Sequence, residues 1–209
     1  MKRKILTLLL AGSMLTALTA IPAGADDDGD TFVDFIGEQA EAKRGQFNII
    51  GQVVDALVKA GELDSGDVAA LSSAPLTAFL PTDIGFRRLV ADLDNKKWWQ
   101  VKERDVIPFL VDALGLETIR EVVKYHIFAG DKVDYREALS LDTNRRNGTS
   151  ASIGMYDGTG QLGIDRRGFA LQLDDAGNAG LGTNNPWVVR ANIDGGNAIV
   201  HGISEVLLP

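Results

Sequence analysis

The side chains best suited to chemistry in this 209-residue chain are two histidines and one aspartate. His126 and His201 are the only histidines, and Asp83 follows Thr82 directly after an apolar stretch. An aspartate that orients a histidine, which in turn activates a hydroxyl such as that of Thr82, would make a hydrolase. Two histidines and an aspartate could also bind a metal ion. The first question about function is therefore whether these residues form a hydrolase site or a metal site.

The sequence around these residues favours a structural role. It contains no Gly-x-Ser-x-Gly turn around a nucleophile and no His-Glu-x-x-His metal helix. It also contains no cysteine, which removes thiolate catalysis, disulfides and cysteine-ligated metals. Buried histidines commonly pair both ring nitrogens with backbone groups, and an aspartate at a helix start is commonly a cap. We expect a non-enzymatic protein without catalytic, cofactor-binding or metal-binding residues, with a hydrolase that uses His126 or His201 as an alternative.

Residues 1–25 have the pattern of a secretory signal peptide. Three basic residues at positions 2–4 precede an apolar run over 5–21, and Ala23-Gly24-Ala25 forms a small-x-small cleavage site. We predict secretion with cleavage after Ala25, which takes the formal charge from −8 to −11. Such an acidic chain is a poor candidate for nucleic acid or an anionic membrane. No later stretch is long enough to span a bilayer, and residues 26–33 are expected to be a flexible acidic N-terminus.

The elements that must position Asp83 and the histidines can be read from local patterns. A short apolar run, residues 78–80, predicts a buried strand that Pro81 ends. Thr82 or Asp83 can cap the helix that follows, in which apolar residues recur at helical spacing. Further helices are predicted at 47–59, at 67–71 with Ser65 as cap, from Pro108 in a first turn, and at 117–124. Glycine-punctuated strands are predicted at 152–156, 161–164, 169–173 and 187–193.

Three segments resemble the signature motifs of the fasciclin domain. The first runs from Thr77 to Phe86, the second begins at Tyr125-His126, and the third runs from Asn197 through His201 to Pro209. The segments depart from the family pattern at Leu80, Gly85, Ala129, Ala198, Gly202 and Ser204. The chain is identified as a member of this family over residues 34–209.

The resemblance implies one domain over 34–209 with an α+β wedge. Helices mainly from the N-terminal half would pack on a mostly antiparallel β-sheet core from the C-terminal half. It implies a secreted adhesion or interaction module whose partner is an extracellular protein or polysaccharide surface, and it leaves weak self-association open. The polar motif residues are expected to be structural; they are Thr82, Asp83, Tyr125, His126, Asn197 and His201.

The remaining feature is an aromatic pair, Trp98 and Trp99, in a segment that looks like an insertion in the domain. The pair is a candidate interaction surface, because tryptophan is enriched at interfaces. The alternative, which we favour, is that one indole folds back over the core. If the pair lined one cleft with Met155, Tyr156 and Trp187, the chain would instead carry a small apolar ligand such as a pigment or lipid.

Overall fold

The computed structural model describes residues 30–42, 45–140, 152–154, 161–175 and 185–208. The helices in these ranges are α1 (Phe32–Glu41), α2 (Asn48–Ala60), α3 (Ser65–Ser73), α4 (Asp83–Leu93), α5 (Glu103–Leu114), α6 (Leu116–Tyr125) and α7 (Tyr135–Ser140). The strands are β1 (Leu76–Pro81), β2 (Ile127–Ala129), β3 (Ser152–Gly154), β4 (Gln161–Arg167), β5 (Ala170–Asp175), β6 (Val188–Gly195) and β7 (Ala198–Ile203). A short 3₁₀ turn covers Trp98–Gln100. The predicted signal peptide, residues 26–29, and the candidate ligand residues Met155 and Tyr156 lie outside the described residues.

Strand β1 is one of the two inner strands of the larger sheet. The strand order is β2-β1-β7-β6, with β1 parallel to β7 and the other two pairings antiparallel. All six residues of β1 are buried, which explains the apolar run at 78–80. A second sheet has the order β3-β4-β5 with antiparallel pairs only. The predicted α+β class with mostly antiparallel strands is confirmed. Neither the parallel pair nor the division of the strands into two sheets was predicted from the sequence.

The two faces of β1 lie in two separate apolar clusters. Leu76, Ala78 and Leu80 join the cluster formed with the helices, whereas Phe79 joins the cluster formed with β4 and β5. Side chains alternate across a strand, so each face of β1 is covered by a different layer. The helices of the first half therefore pack on one face, and the small sheet packs on the other.

Helix α5 begins earlier than the sequence predicted. Pro108 was expected in the first turn, but the helix starts at Glu103 and Pro108 lies in its interior. Glu103 and Asp105 in the first turn interact favourably with the helix dipole and fix the earlier start. Helix α3 is likewise capped one residue earlier than predicted, because Asp64 Oδ1 accepts hydrogen bonds from the amides of Gly66 (2.7 Å) and Asp67 (2.9 Å).

Two boundaries of the predicted segments also shift. Helix α1 begins at Phe32, whose ring is buried, although the sequence analysis placed residues 26–33 in a flexible N-terminus. A capping box between Thr31 and Asp34 explains this start. In the second half, Phe169 lies in the turn before β5 and not in the predicted strand, and its side chain is 90% exposed.

Helix α1 packs against α2 through a glycine. A Cβ atom built on Gly51 would lie 2.4 Å from the backbone nitrogen of Ala40, so α1 can approach only because Gly51 has no side chain. Gly37, in the middle of α1, has nothing within 4 Å of such an atom. The two helical glycines thus differ in their steric surroundings.

The first prediction compares alanine at these two positions. Gly51→Ala should lower the free energy of unfolding by about 1–3 kcal/mol, since α1 must move away from α2. Gly37→Ala should raise it by up to about 1 kcal/mol, because alanine favours the helix and meets no neighbour. Urea denaturation of both variants measures the two changes. Equal effects of the two substitutions would show that the contact at Gly51 is not tight.

Candidate functional site

His126 holds two separate backbone segments together. It lies at the C-terminal end of α6, where its Nδ1–H donates to the carbonyl oxygen of Val122 at 2.6 Å. Its Nε2 accepts from the amide of Leu207 at 2.9 Å. The ring is neutral in this arrangement, and its complete burial lowers the pKa of His126 to about 4. Both ring nitrogens are therefore occupied by the fold.

His201 has the same kind of environment in β7. Its Nε2–H donates to the carbonyl oxygen of Val133 at 2.9 Å, and its Nδ1 accepts weakly from the amide of Asn192 at 3.4 Å. The ring stacks on Phe79 with a centroid distance of 5.4 Å. Burial lowers the pKa of His201, opposed by the hydrogen bond to Val133 and by Asp134. The histidine thus fixes irregular segments against the sheet.

Asp83 caps a helix other than its own. Its Oδ1 accepts from the amide of Ile49 at 2.9 Å in the first turn of α2, a helix whose own N-cap residue, Phe47, supplies no side-chain cap. The cap of α4 is Thr82, whose hydroxyl accepts from the amide of Gly85 at 3.4 Å. Burial raises the pKa of Asp83, and hydrogen bonds from the first amides of α2 oppose that rise. The pair Thr82-Asp83 therefore starts two helices at once.

Asn197 and Tyr125 complete the set of polar motif residues. Asn197 Oδ1 accepts from the amide of Phe32 at 2.6 Å, and its Nδ2 donates to the carbonyls of Leu71 and Ala74. It thus joins the start of α1 to the end of α3. Tyr125 is buried in the cluster beneath the smaller sheet.

The hydrogen bonds of the polar motif residues go to different parts of the fold. His126 and His201 bind different backbone segments, and Asp83 binds the start of α2. Within the described residues, no group of three or more His, Cys, Asp or Glu side chains is arranged to hold a metal ion. None of the helices in the described ranges is long and apolar enough to cross a membrane. The geometry favours the structural interpretation of these residues.

The two adjacent tryptophans have different environments. Trp98 packs against the helical core, and the guanidinium carbon of Arg87 lies 5.3 Å from its ring centroid. Trp99 is 62% exposed and meets Trp98 edge to face at 5.9 Å. One indole therefore packs against the core, and the other is exposed.

The described part of the chain contains a pocket that the tryptophans do not line. This pocket has a volume of about 370 Å³ and lies between α1, α2 and α3. Trp98, Trp99 and Trp187 are not among its lining residues. The cleft predicted for these aromatics stays a prediction, because Met155 and Tyr156 lie outside the described residues.

A family model of the fasciclin domain matches residues 52–209. The chain belongs to the fasciclin domain family. The match includes the three motif segments and all strands, and it begins after α1 and the first turn of α2. Fasciclin domains are known as modules of cell adhesion and interaction.

The fasciclin fold is also found in a solved structure. The chain is similar to a FAS1 domain pair from the insect cell adhesion molecule Fasciclin I, with a TM-score of 0.53 and 13% identity. The match covers 83% of this chain and 50% of that chain, so the fasciclin chain described here spans about half of the insect one. A comparison with curated proteins gave no match. The structural likeness at this identity concerns the fold.

One departure from the fasciclin motif has a direct physical explanation. Gly202 replaces an aliphatic residue, and a Cβ atom at this position would lie 2.8 Å from Cζ of Phe47. The buried Phe47 ring occupies the space that an aliphatic side chain would need. The substitution in β7 is therefore matched by a large residue at the start of α2.

The second prediction concerns the pH dependence of stability. The unfolded chain protonates His126 near pH 6.5, whereas the folded chain does so near pH 4. The stabilisation is complete above pH 6.5 and is lost as the pH falls towards 4. Between pH 7.5 and 4.5 we expect His126 alone to account for a loss of about 2–3 kcal/mol. Denaturation of the wild type and of His126→Gln at both pH values isolates the contribution of His126. If the variant loses as much unfolding free energy as the wild type, the loss does not come from His126.

The third prediction compares the two adjacent cap residues. Asp83→Ala removes the acceptor of a buried amide in α2 and should cost about 1–3 kcal/mol of unfolding free energy. Thr82→Ala removes a longer hydrogen bond and should cost less. Chemical denaturation of the two variants gives both numbers. A larger loss in Thr82→Ala would contradict the role of Asp83 as the cap of α2.

Proposed function

We propose that the chain is a secreted, non-enzymatic interaction module that contacts an extracellular protein or polysaccharide surface through Trp99. The observation that carries the proposal is an indole that is 62% exposed although it stands beside one that is anchored in the core. Membership of the fasciclin family supports the class of function. The leader pattern of residues 1–25 supports the extracellular location.

The segment around Trp99 is held in place before any partner binds. Trp98 packs on the core and beneath Arg87, whose Nε–H donates to the carbonyl oxygen of Val101 at 2.9 Å. Trp99 rests edge-on against Trp98 and is part of the same 3₁₀ turn. An aromatic side chain that is already positioned loses little conformational entropy on binding. Trp99 therefore has the properties of a binding hot spot.

The charges beside Trp99 indicate what kind of surface it would meet. Lys97 and Lys102 flank the 3₁₀ turn and are exposed, whereas Lys96 and Arg104 are paired with neighbouring aspartates. These exposed cations stand out on a chain whose formal charge is −8. A partner with acidic or hydroxyl-rich groups, on a protein or a polysaccharide, would complement this aromatic and basic tip.

The environments of the histidines support a role without catalysis. A general base needs a ring nitrogen that can reach a substrate proton. The ring nitrogens of His126 are occupied by Val122 and Leu207, and the Nε2 of His201 is occupied by Val133. Reaction with a substrate would first require these contacts to break. We therefore assign both residues to the fold.

The fourth prediction tests the tip by retention of the purified chain on surfaces of the producing cells. Trp99→Ala should weaken retention at least tenfold, because it removes the exposed indole. Its thermal stability should remain unchanged, since exposed substitutions usually alter stability by less than about 0.5 kcal/mol. Protease treatment of the cells beforehand separates a protein partner, which is lost, from a polysaccharide, which remains.

Phe169→Ala is the matched control, because Phe169 is an exposed aromatic in the turn before β5. This variant should be retained like the wild type. Equal retention of the wild type and Trp99→Ala would exclude Trp99 as the contact. Equal weakening by both alanine variants would indicate unspecific adhesion of exposed aromatics.

A further inference from the structure

The pocket between α1, α2 and α3 is deep and apolar. Its volume of about 370 Å³ lies in the range of about 300–1,000 Å³ that is typical of small-molecule sites. The buried side chains that line it come from helices, from the turn between α2 and α3, and from β1 and β2; they include Ile36, Ile50, Leu63, Leu80, Val123 and Ile127. Water gains few hydrogen bonds in such surroundings, so an apolar molecule would displace it readily.

Helix α1 forms one wall of this pocket and is fixed at both ends. Asn197 binds the amide of Phe32 at its start, and the backbone of Ala40 rests on Gly51 near its end. The helix lies outside the segment that matches the fasciclin family model. The pocket is therefore not formed by the family-matched segment of the chain alone.

Gly37 leaves space open in the middle of that wall. Glycine weakens a helix, and it is usually explained by a left-handed conformation or by a close neighbour. Gly37 is helical, its φ is not positive, and no atom lies within 4 Å of where its Cβ would be. Gly37 is exposed and lines the pocket, so a larger side chain at this position would enter open space without meeting a neighbour.

The charges at the mouth of the pocket indicate the class of ligand. Lys59 is paired with Asp55 at 2.6 Å and Lys124 with Asp67 at 3.2 Å, while Glu41 adds one more negative charge. Both lysines already have carboxylate partners, and the rim as a whole is negative by one charge. An anionic head group would have to compete with these aspartates on a chain of formal charge −8.

We propose that this pocket binds an uncharged, predominantly apolar small molecule, with α1 as the wall that encloses it. The site is independent of Trp99, which does not line the pocket. The proposal for the Trp99 contact and the proposal for the pocket can therefore be refuted independently. We expect that loss of binding at Trp99 does not change ligand binding in the pocket, and the reverse.

The test uses Nile red, an uncharged fluorescent dye, with the purified chain. We expect saturable binding with a stoichiometry of one dye per chain. Competition then uses two molecules with the same alkyl chain, 1-dodecanol and dodecanoate. 1-Dodecanol should displace the dye at a concentration at least tenfold lower than dodecanoate. Stronger displacement by dodecanoate, or the absence of saturable binding, would overturn the proposal.

Two matched variants place the site. Gly37→Phe puts a ring at a position that lines the pocket and should weaken dye binding at least tenfold, whereas Glu38→Phe puts the same ring at the next position of α1, which does not line it. Val54→Phe fills the pocket from α2 and serves if Gly37→Phe fails to fold. Circular dichroism checks the fold of each variant. Equal dye affinity in a folded pocket-filling variant and in Glu38→Phe would place the dye elsewhere and refute the proposal.

Discussion

The structure depends on the parallel pairing of β1 with β7. This pairing joins Leu76 to Ala198 and Pro81 to Ile203, across most of the length of the chain. Because β1 is buried at every position, each polar group beside it must find a partner inside the protein. Thr77 shows how this is achieved, since its hydroxyl donates to the carbonyl of Asp131 at 2.7 Å and accepts from the amide of Val133 at 2.8 Å. The segment after β2 is thereby fixed to the sheet.

The other buried polar side chains perform the same task at the ends of the regular elements. Segments without a ladder or a helix still carry amides and carbonyls that cannot be left unpaired in the interior. His126 satisfies Leu207, His201 satisfies Val133, and Asn197 satisfies the ends of α1 and α3. The neutral histidine suits this role because one ring nitrogen donates while the other accepts. In this chain the polar residues of the fasciclin motifs thus lie beside apolar strands because buried backbone groups there need hydrogen-bond partners.

Local patterns were sufficient to predict the elements that local physics determines. The turn from β1 into α4 and the apolar stripe of α2 follow from neighbouring residues and were predicted. The partner of Asp83 could not be predicted, because Ile49 lies 34 residues away. Nor could the sequence show which of the two indoles packs on the core, because this depends on Arg87 and on the packing of the 3₁₀ turn. Helix α1 was missed although its capping box is readable, since Gly37 interrupts the helical pattern.

Several residues in the described part of the chain are disfavoured by local physics, and Trp99, Phe169 and Gly37 are examples. The Trp99 side chain leaves most of its apolar surface in water, and Gly37 weakens a helix without allowing any close contact. By contrast, Gly51 and the buried histidines are also costly locally, but each is required by a neighbour that the structure identifies. Sequences usually agree with their structure at every level except where function imposes another demand. We therefore place the two proposed binding sites at Trp99 and at the pocket that Gly37 lines.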